Sequence, residues 1–175
     1  MLYAVLALVL VVLDQVVKYL VRNNIPLGGH VPCSPYLVEL TYVQNTGAAF
    51  SMFSQHTWIL TLISLVMSVV LAVALWKNFF RHWLGKITLT LLLAGAVGNL
   101  IDRALRGFVV DMFNVLFMEF AVFNVADIFV TCVSVALAVY ILFIEPKVEK
   151  RLQEQKEAAS AAEEGTHEGN DDGDQ

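Results

Sequence analysis

Asp127, in the stretch FNVADIF at residues 123–129, is the side chain whose position most needs an explanation. It falls in a run, Phe120–Ile144, that is otherwise apolar and long enough to cross a membrane. An aspartate at the centre of a membrane helix costs roughly 2.5–3.5 kcal/mol on insertion. Because no basic residue lies within one helical turn of Asp127, partners elsewhere in the chain must compensate its carboxyl group.

Other acids, amides and bases accompany Asp127 near the ends of apolar runs. They are Asp14, Lys18, Asn45, Asn99, Asp102, Arg103, Asp111 and Asn124. Asn99 lies three residues before Asp102, and Asn124 lies three residues before Asp127. On a helix this spacing puts both side chains on one face, where the amide can orient the carboxylate by hydrogen bonding.

A pair of neighbouring carboxyl groups is the simplest chemistry that this set offers. The sequence shows no Ser–His or Cys–His arrangement and no metal-binding spacing, so we expect no metal and no cofactor. In a poorly solvated pair one carboxyl group keeps a proton. The ionised group can then activate water against a carbonyl carbon, while the protonated group protonates the leaving nitrogen. Spacing alone allows Asp127 to pair with Asp111 or with Asp102.

Several of these acids also have a purely structural interpretation. Asp14 and Lys18 are four residues apart and could simply neutralise each other within a bundle, which is the interpretation we favour for this pair. Asp102 could form an ion pair with a neighbouring arginine. Asp111 could cap a helix formed by the segment MFNVLFMEFA.

The elements that must position these groups are membrane-spanning helices. The chain has 175 residues, of which 58% are hydrophobic and 15% are charged, whereas a soluble domain carries about 25% charged residues. Its mean hydropathy is +0.67. Four apolar segments are long enough, or nearly so, to cross about 30 Å of hydrocarbon: Leu2–Val21, Thr57–Trp76, Lys86–Leu105 and Phe120–Ile144. The predicted fold class is an all-α membrane protein with four transmembrane helices.

The lysines and arginines of the connecting segments predict the orientation of these helices. Residues 77–86 hold three basic residues and 146–156 hold four, whereas 22–56 holds one. We therefore expect both termini on the inner side (N-in/C-in) and the polar groups at the outer face. Strand-forming residues in YLVELTYVQ (36–44) predict a small extended platform on that face, between helices 1 and 2. The connection 107–121 could form a mobile interfacial lid or an ordinary loop that rests on the membrane.

The acidity of the chain is confined to its end. Residues 145–175 hold ten acidic and four basic residues, although the net charge of the whole chain is −5. We expect residues 1–150 to form one membrane domain and residues 151–175 to be a disordered acidic cytoplasmic tail. This charge distribution gives no reason to expect a nucleic-acid partner, and no obligate protein partner is evident.

Polar groups at a single depth favour an enzyme that acts at the outer membrane surface. A transport path needs polar groups along its whole length. Apart from basic residues at their ends, the inner halves of the four segments hold no acid or base. A small transport or accessory subunit is the alternative, and it predicts no cleavage of any substrate.

Five short motifs occur in order along the chain. They are DQVVK (14–18), NTGAAF (45–50), GNLIDR (98–103), VVDMF (109–113) and FNVADI (123–128). Together they resemble the lipoprotein signal peptidase family of bacteria, also called signal peptidase II, over about residues 10–130. The resemblance implies a four-helix aspartyl endopeptidase that cuts prolipoproteins directly before the Cys that carries a diacylglyceryl group.

The same resemblance implies roles for individual residues. The catalytic pair of the family falls on Asp111 and Asp127. The site-shaping positions fall on Asn45, Gly47, Gly98, Asn99, Asp102, Arg103, Asn124 and Ala126, and the first-helix motif falls on Asp14 and Lys18. The resemblance further implies diacylglyceryl-prolipoprotein substrates held among membrane lipids, and sensitivity to the cyclic peptide globomycin. It places the chain in the bacterial inner (cytoplasmic) membrane as a multi-pass protein with its active site towards the outer face.

Overall fold

Four long helices and a small sheet make up the part of the chain that the computed structural model describes, residues 1–34, 36–47 and 57–155. The elements are α1 (Leu2–Asn24), β1 (His30–Ser34), β2 (Val38–Asn45), α2 (Thr57–Trp76), α3 (Trp83–Arg106), β3 (Val109–Val115) and α4 (Val125–Val139). The helix that begins with α4 continues through a π-helical turn, Tyr140–Ile144, to Gln155. All four helices are long and apolar enough to span a membrane, as the sequence predicts.

The chain divides into two compact units, Met1–Leu137 and Ala138–Gln175. The first unit contains every site residue that the sequence predicts. In the second unit the chain is helical to Gln155, and the hydroxyl group of Tyr140 donates a hydrogen bond to Glu145. Most of the predicted acidic tail, from residue 156 onward, lies outside the described residues.

The helix α3 is the most buried of the four and contacts both α1 and α2. At its start the side chain of His82 accepts a hydrogen bond from the backbone N–H of Leu84. At its end Gly107 adopts a left-handed conformation, with φ of 76°, and donates its N–H to the carbonyl of Arg103. Such a left-handed cap is favourable for glycine because it lacks a Cβ atom. These caps extend α3 beyond the predicted segment Lys86–Leu105 at both ends.

The sheet is antiparallel, with the strand order β1–β2–β3. The strands β1 and β2 confirm the extended structure predicted between helices 1 and 2. The strand β3 comes from the connection between α3 and α4, where the sequence predicted a lid, so the lid prediction is wrong for residues 109–115. Asp111 is therefore a strand residue opposite Val43, and its interpretation as a helix cap is also wrong.

Burial of apolar side chains explains why residues 109–115 form a strand. Val110 and Met112 are fully buried and pack with Tyr42 of β2 against Val21 and Ile25 at the end of α1. Burying such a side chain contributes about 1.5–3 kcal/mol relative to leaving it exposed. This core attaches the sheet to the helical bundle and fixes Asp111, which lies between two of the buried residues.

The helix α4 begins later than the predicted segment Phe120–Ile144. The side-chain oxygen of Asn124 accepts the N–H of Asp127 at 3.0 Å, and a carboxylate oxygen of Asp127 accepts the N–H of Asn124 at 3.2 Å. This reciprocal arrangement is a capping box that starts the helix at Val125. Asp127 thus lies in the first helical turn, where the helix dipole favours a negative charge.

Candidate active site

Asp111 and Asp127 line one cavity of about 260 Å³ between the sheet and the helices. Asp111 is 1% exposed and comes from β3, whereas Asp127 comes from the start of α4. The other lining residues are Asn45, Asn99, Arg103, Val109, Phe120, Ala121, Val122, Phe123 and Thr131. Asp102 does not line this cavity.

Amide N–H groups reach all four carboxylate oxygens of this pair. For Asp111, Asn124 donates to Oδ1 at 2.7 Å and Asn45 donates to Oδ2 at 2.8 Å. For Asp127, Asn99 donates to Oδ1 at 2.7 Å and the backbone of Asn124 donates to Oδ2 at 3.2 Å. Because each carboxylate is held at both oxygens, neither can rotate without losing hydrogen bonds.

Burial and a neighbouring negative charge keep Asp111 protonated to a higher pH than an isolated carboxyl group. The pKa of Asp111 is raised from 3.8 to about 6, mainly by desolvation and next by the negative charge of Asp127. Hydrogen bonds from Asn124 and Asn45 and the charge of Lys18 oppose that rise in pKa. A carboxyl group that keeps its proton beside a second carboxyl group can serve in general acid–base chemistry.

Asp102 belongs to a separate ion cluster behind the cavity. One of its oxygens lies 3.1 Å from the Lys18 ammonium group and accepts the backbone N–H of Val110 at 3.1 Å. The other accepts hydrogen bonds from Arg106 and, at 3.3 Å, from Gln15. Asp102 is 0% exposed, so these partners satisfy a carboxylate that would otherwise be very costly to bury.

The structure contains the ion pair between Asp14 and Lys18 that the sequence predicts. The Asp14 carboxylate lies 2.9 Å from the Lys18 ammonium group. The pair does more than neutralise itself, because the Lys18 ammonium group also donates to the side-chain oxygen of Asn99 at 2.9 Å. Asp14 in turn accepts the backbone N–H of Ala126 at 3.0 Å. These contacts join α1 to both of the helices that carry cavity residues.

Gly98 and Ala126 lie where α1, α3 and α4 meet. A Cβ atom at position 98 would lie 2.6 Å from the Oδ2 atom of Asp14 and 3.4 Å from the Cβ atom of Ala126. The carbonyl group of Gly98 also accepts a hydrogen bond from Gln15 at 3.1 Å. A small residue is therefore required at position 98 to let the three helices approach closely.

Arg103 lines the cavity beside the two carboxyl groups. Its guanidinium group donates to the hydroxyl oxygen of Ser64 at 3.3 Å and to the carbonyl of Gly47 at 3.4 Å. Its Nε atom is buried and has no hydrogen-bond partner among the described residues. Gly47 also donates its N–H to the side chain of Asn45 at 2.9 Å. The rest of the NTGAAF motif, residues 48–50, lies outside the described residues.

A second cavity, of about 540 Å³, adjoins Asp111 from the side of the sheet. Its walls come from the end of β2 and from the segment after β3, and no residue of the four helices lines it. The lining residues are Val43, Gln44, Asn45, Thr46, Asp111, Glu119, Phe120, Ala121 and Val122. The two cavities share Asn45, Asp111 and Phe120–Val122, so both open onto the same carboxyl group.

Gln15 is a residue of this site that was not predicted from the sequence. It bonds to both Asp14 and Asp102, and nothing local indicates this role. The ion pair between Asp102 and Arg106 confirms the structural interpretation of Asp102. Within the described ranges, no group of three or more His, Cys, Asp or Glu side chains could hold a metal ion.

Comparison with known sequences matches residues 6–143 to the family described as Signal peptidase (SPase) II. The lipoprotein signal peptidase of Lactococcus lactis subsp. cremoris (strain MG1363) is 42% identical over 138 residues, which cover 79% of this chain and 91% of that protein. The lipoprotein signal peptidase of Clostridioides difficile (strain 630) is 38% identical over 147 residues, which cover 84% of this chain and 99% of that protein.

Two solved structures are similar to this fold, and both are described as bacterial membrane enzymes determined by the in meso method. The structure at 2.3 Å resolution has a TM-score of 0.74 and 30% identity, over 80% of this chain and 86% of that chain. The structure at 1.9 Å resolution has a TM-score of 0.68 and 27% identity, over 81% of this chain and 93% of that chain.

Proposed function

The chain belongs to the signal peptidase II family, and from that premise we propose that Asp111 and Asp127 are its catalytic pair. A member of this family is a protease that removes signal peptides from prolipoproteins. The proposed reaction is hydrolysis of the peptide bond directly before the Cys that carries a diacylglyceryl group. The proposed site is the cavity that the two carboxyl groups line.

One observation carries the assignment of the pair. Asp111 and Asp127 share a cavity, and amide N–H groups hold all four of their oxygens. Asp102, the alternative partner that spacing allowed, has both of its oxygens engaged by Lys18, Arg106, Gln15 and the N–H of Val110. Asp102 also lines neither cavity, so its carboxylate does not face the space in which water and substrate would meet, which supports Asp111 as the partner of Asp127.

In the proposed mechanism the pair holds one proton when the substrate binds. The ionised carboxyl group removes a proton from a water molecule, and the water oxygen attacks the carbonyl carbon before the lipidated Cys. The protonated carboxyl group donates a hydrogen bond to the developing oxyanion. It then protonates the leaving nitrogen, which becomes the α-amine of that Cys. Exclusion of bulk water strengthens each of these interactions.

The proposed position of the protein in the membrane follows from the lipid anchor of its substrate. The four apolar helices make the chain a multi-pass membrane protein. We place both termini in the cytoplasm and the carboxyl pair near the outer face of the inner membrane. A diacylated substrate is confined to the membrane by its acyl chains, so its scissile bond is held near the surface. The position of Asp127 in the first turn of α4 and of Asp111 on the sheet supports a matching depth for the pair.

A cleavage assay on purified protein tests the proposal. The protein, in detergent micelles that contain phospholipid, is incubated with a diacylglyceryl-modified prolipoprotein, and mass spectrometry locates the cut. We expect cleavage before the lipidated Cys, and we expect globomycin to inhibit it. Asp111→Asn and Asp127→Asn should each reduce kcat by about 10³-fold or more, because each removes an acid–base group.

Glu39→Gln is a matched control, since Glu39 is an acid of β2 that lines neither cavity and bonds to Asn114 and His30. We expect this variant to cleave like the wild type. Intact substrate with folded wild-type protein would contradict the proposal and favour the transport or accessory alternative. Activity that survives Asp111→Asn but not Asp102→Asn would support the peptidase function but assign the catalytic pair to Asp102 and Asp127.

A further inference from the structure

Lys18 is a fully buried lysine that touches the hydrogen-bond network of the carboxyl pair. Its side chain is 0% exposed, and its ammonium group has three partners: Asp14 at 2.9 Å, Asp102 at 3.1 Å and the side-chain oxygen of Asn99 at 2.9 Å. Two of these contacts neutralise charge. The third connects an ion cluster outside the cavity to a residue that lines the cavity.

The contact with Lys18 determines which way the amide group of Asn99 points. An ammonium group can only donate hydrogen bonds, so the side-chain oxygen of Asn99 must face it. The NH₂ group then points in the opposite direction and donates to Asp127 at 2.7 Å. Without the ammonium group, Asn99 could turn over and present its oxygen to the carboxylate, which is repulsive.

Asn124 joins this network at the side-chain oxygen of Asn99, while the backbone of Asp127 fixes its own orientation. The side-chain oxygen of Asn124 is engaged by the N–H of Asp127, so its NH₂ group is the part that remains for other partners. That NH₂ group donates to the oxygen of Asn99 at 3.2 Å and to Asp111 at 2.7 Å. An unbroken series of hydrogen bonds therefore runs from the buried ammonium group to both carboxyl groups.

We propose that Lys18 is a positioning residue for the cleavage reaction, acting through Asn99 and Asn124 to hold both carboxyl groups with amide N–H donors facing them. This inference rests on the proposed function. The helix α1 contributes no residue to the lining of either cavity. Through Lys18 it would nevertheless help to set the geometry of the reacting groups.

The charge of Lys18 also acts on the pair through space. It lowers the pKa of Asp111, whereas the negative charge of Asp127 raises that pKa. The other charged groups nearby are Asp14, Asp102 and Arg106 around Lys18, and Arg103 beside the pair. Loss of the ammonium charge should therefore make Asp111 hold its proton to a higher pH.

A merely structural salt bridge is the alternative, and two variants separate it from positioning. Lys18→Met removes the charge and the bond to Asn99, but it leaves Asp14 and Asp102 buried with less compensation. The double variant Lys18→Met with Asp14→Asn removes both members of the pair, so the net charge of the cluster is preserved. Asp14→Asn alone keeps the bond from Lys18 to Asn99.

The experiment measures kcat, KM and the pH profile of prolipoprotein cleavage for these variants, together with their melting temperatures. We expect the double variant to lose about 10- to 100-fold in kcat with little change in KM, because a small misplacement of reacting groups has effects of this size. Both limbs of its pH profile should move to higher pH. Asp14→Asn alone should leave the limbs in place or move them to lower pH, although it also destabilises the fold.

Lys86→Met is the control for loss of a partly buried lysine. Lys86 is half-buried near the start of α3 and lines a different cavity with Tyr3 and Trp76, so we expect wild-type kinetics. A folded double variant with wild-type kcat and pH profile would overturn the inference while leaving the peptidase proposal intact. Failure of the wild type to cleave would instead overturn the proposed function.

Glu119 carries a second inference, from the larger cavity. Every residue that lines this cavity lies outside the four helices. Apart from Asp111, Glu119 is the only acidic or basic residue among them, and its carboxylate has no partner among the described residues. A cavity lined by sheet and loop residues suits the water-soluble chain that follows the lipidated Cys.

We infer that this cavity receives the first residues after the lipidated Cys and that Glu119 favours basic over acidic side chains there. This inference also rests on the proposed function. An exposed ion pair changes an equilibrium by about 1.5- to 5-fold, so the preference is of that size. It should weaken as the salt concentration rises, because the carboxylate is exposed.

Two otherwise identical prolipoproteins, with Lys or Glu directly after the lipidated Cys, test this inference. We expect the wild type to cleave the Lys substrate with the higher kcat/KM, Glu119→Gln to remove most of the difference, and Glu119→Lys to reverse it. Glu39→Gln should keep the wild-type preference. Equal kcat/KM for the two substrates in active wild-type protein, or a preference that Glu119→Lys leaves unchanged, would refute the inference.

Discussion

Asp111→Asn should make the protein more stable at neutral pH while it abolishes cleavage. Burial and the charge of Asp127 raise the pKa of Asp111 from 3.8 to about 6. A rise of about two units corresponds to about 3 kcal/mol, at 1.36 kcal/mol per unit. Because the ionised form is the one disfavoured in the folded state, this amount is a cost to stability above pH 6.

The pH dependence follows from the same two pKa values. Below pH 3.8 the carboxyl group is protonated in both the folded and the unfolded chain, and no cost arises. Between pH 3.8 and about 6 only the folded chain holds the proton, so the free energy of unfolding falls as the pH rises. Asparagine does not titrate and avoids this loss.

The Asp111→Asn variant does lose one hydrogen bond that the wild type makes. Asn45 and Asn124 both donate to Asp111, and an asparagine at position 111 offers a single oxygen as acceptor. One lost hydrogen bond costs about 1 kcal/mol. The expected net gain is therefore about 2 kcal/mol at pH 7.5, which corresponds to a rise in melting temperature of about 4–8 °C for a chain of this size.

Thermal unfolding in detergent micelles, followed by intrinsic fluorescence at several pH values from 4 to 7.5, measures this gain. Glu39→Gln is the contrasting control, because the hydrogen bond from Asn114 lowers the pKa of Glu39, so its ionised form is the favoured one. That variant should show no gain at neutral pH. A melting temperature of Asp111→Asn below that of the wild type at pH 7.5, or a difference that is independent of pH, would refute the reasoning.

Three further substitutions probe the surroundings of the pair. Gly98→Ala should cost about 1–3 kcal/mol of stability and reduce cleavage, because its Cβ would lie 2.6 Å from Asp14; melting temperature and kcat report the two effects. Asn124→Ala should cost about 1–2 kcal/mol through the lost helix cap and should slow cleavage through the lost bond to Asp111, as shown by melting and by a pH profile. Asp102→Asn should cost about 3–5 kcal/mol, because it breaks a buried ion cluster, and chemical unfolding in micelles measures that loss.

Gly85→Ala serves as the control for the glycine substitution. Its Cβ would lie 2.6 Å from the side chain of Phe80, far from the carboxyl pair along α3, so it should lower stability without a specific loss of kcat in the folded protein. A Gly98→Ala variant with wild-type melting and kinetics would show that the helices can separate at no cost. An Asp102→Asn variant as stable as the wild type would contradict the role of the ion cluster.

The sequence by itself determined the class of the protein and the positions of its apolar helices. Long apolar runs can satisfy their backbone in a membrane only as helices, and this local property is readable without the fold. The strand β2 was predictable for the same reason, because YLVELTYVQ consists largely of strand-forming residues. The five motifs, read as a resemblance, also indicated the family that the comparisons show.

Only the tertiary structure decided which groups meet. Asp102 and Asp111 are nine positions apart, and spacing could not show that one would face Lys18 while the other faced Asn45 and Asn124. The choice depends on β3, whose residues become a strand because they pair with β2 and bury apolar side chains against the end of α1.

The role of Lys18 was equally hidden from the sequence. Its spacing from Asp14 explains an ion pair completely, and nothing local indicates Asn99, which lies 81 positions away along the chain. The orientation of an amide group depends on which partners can only donate and which can only accept. Those partners come from three helices and a strand, and the packed fold alone brings them together.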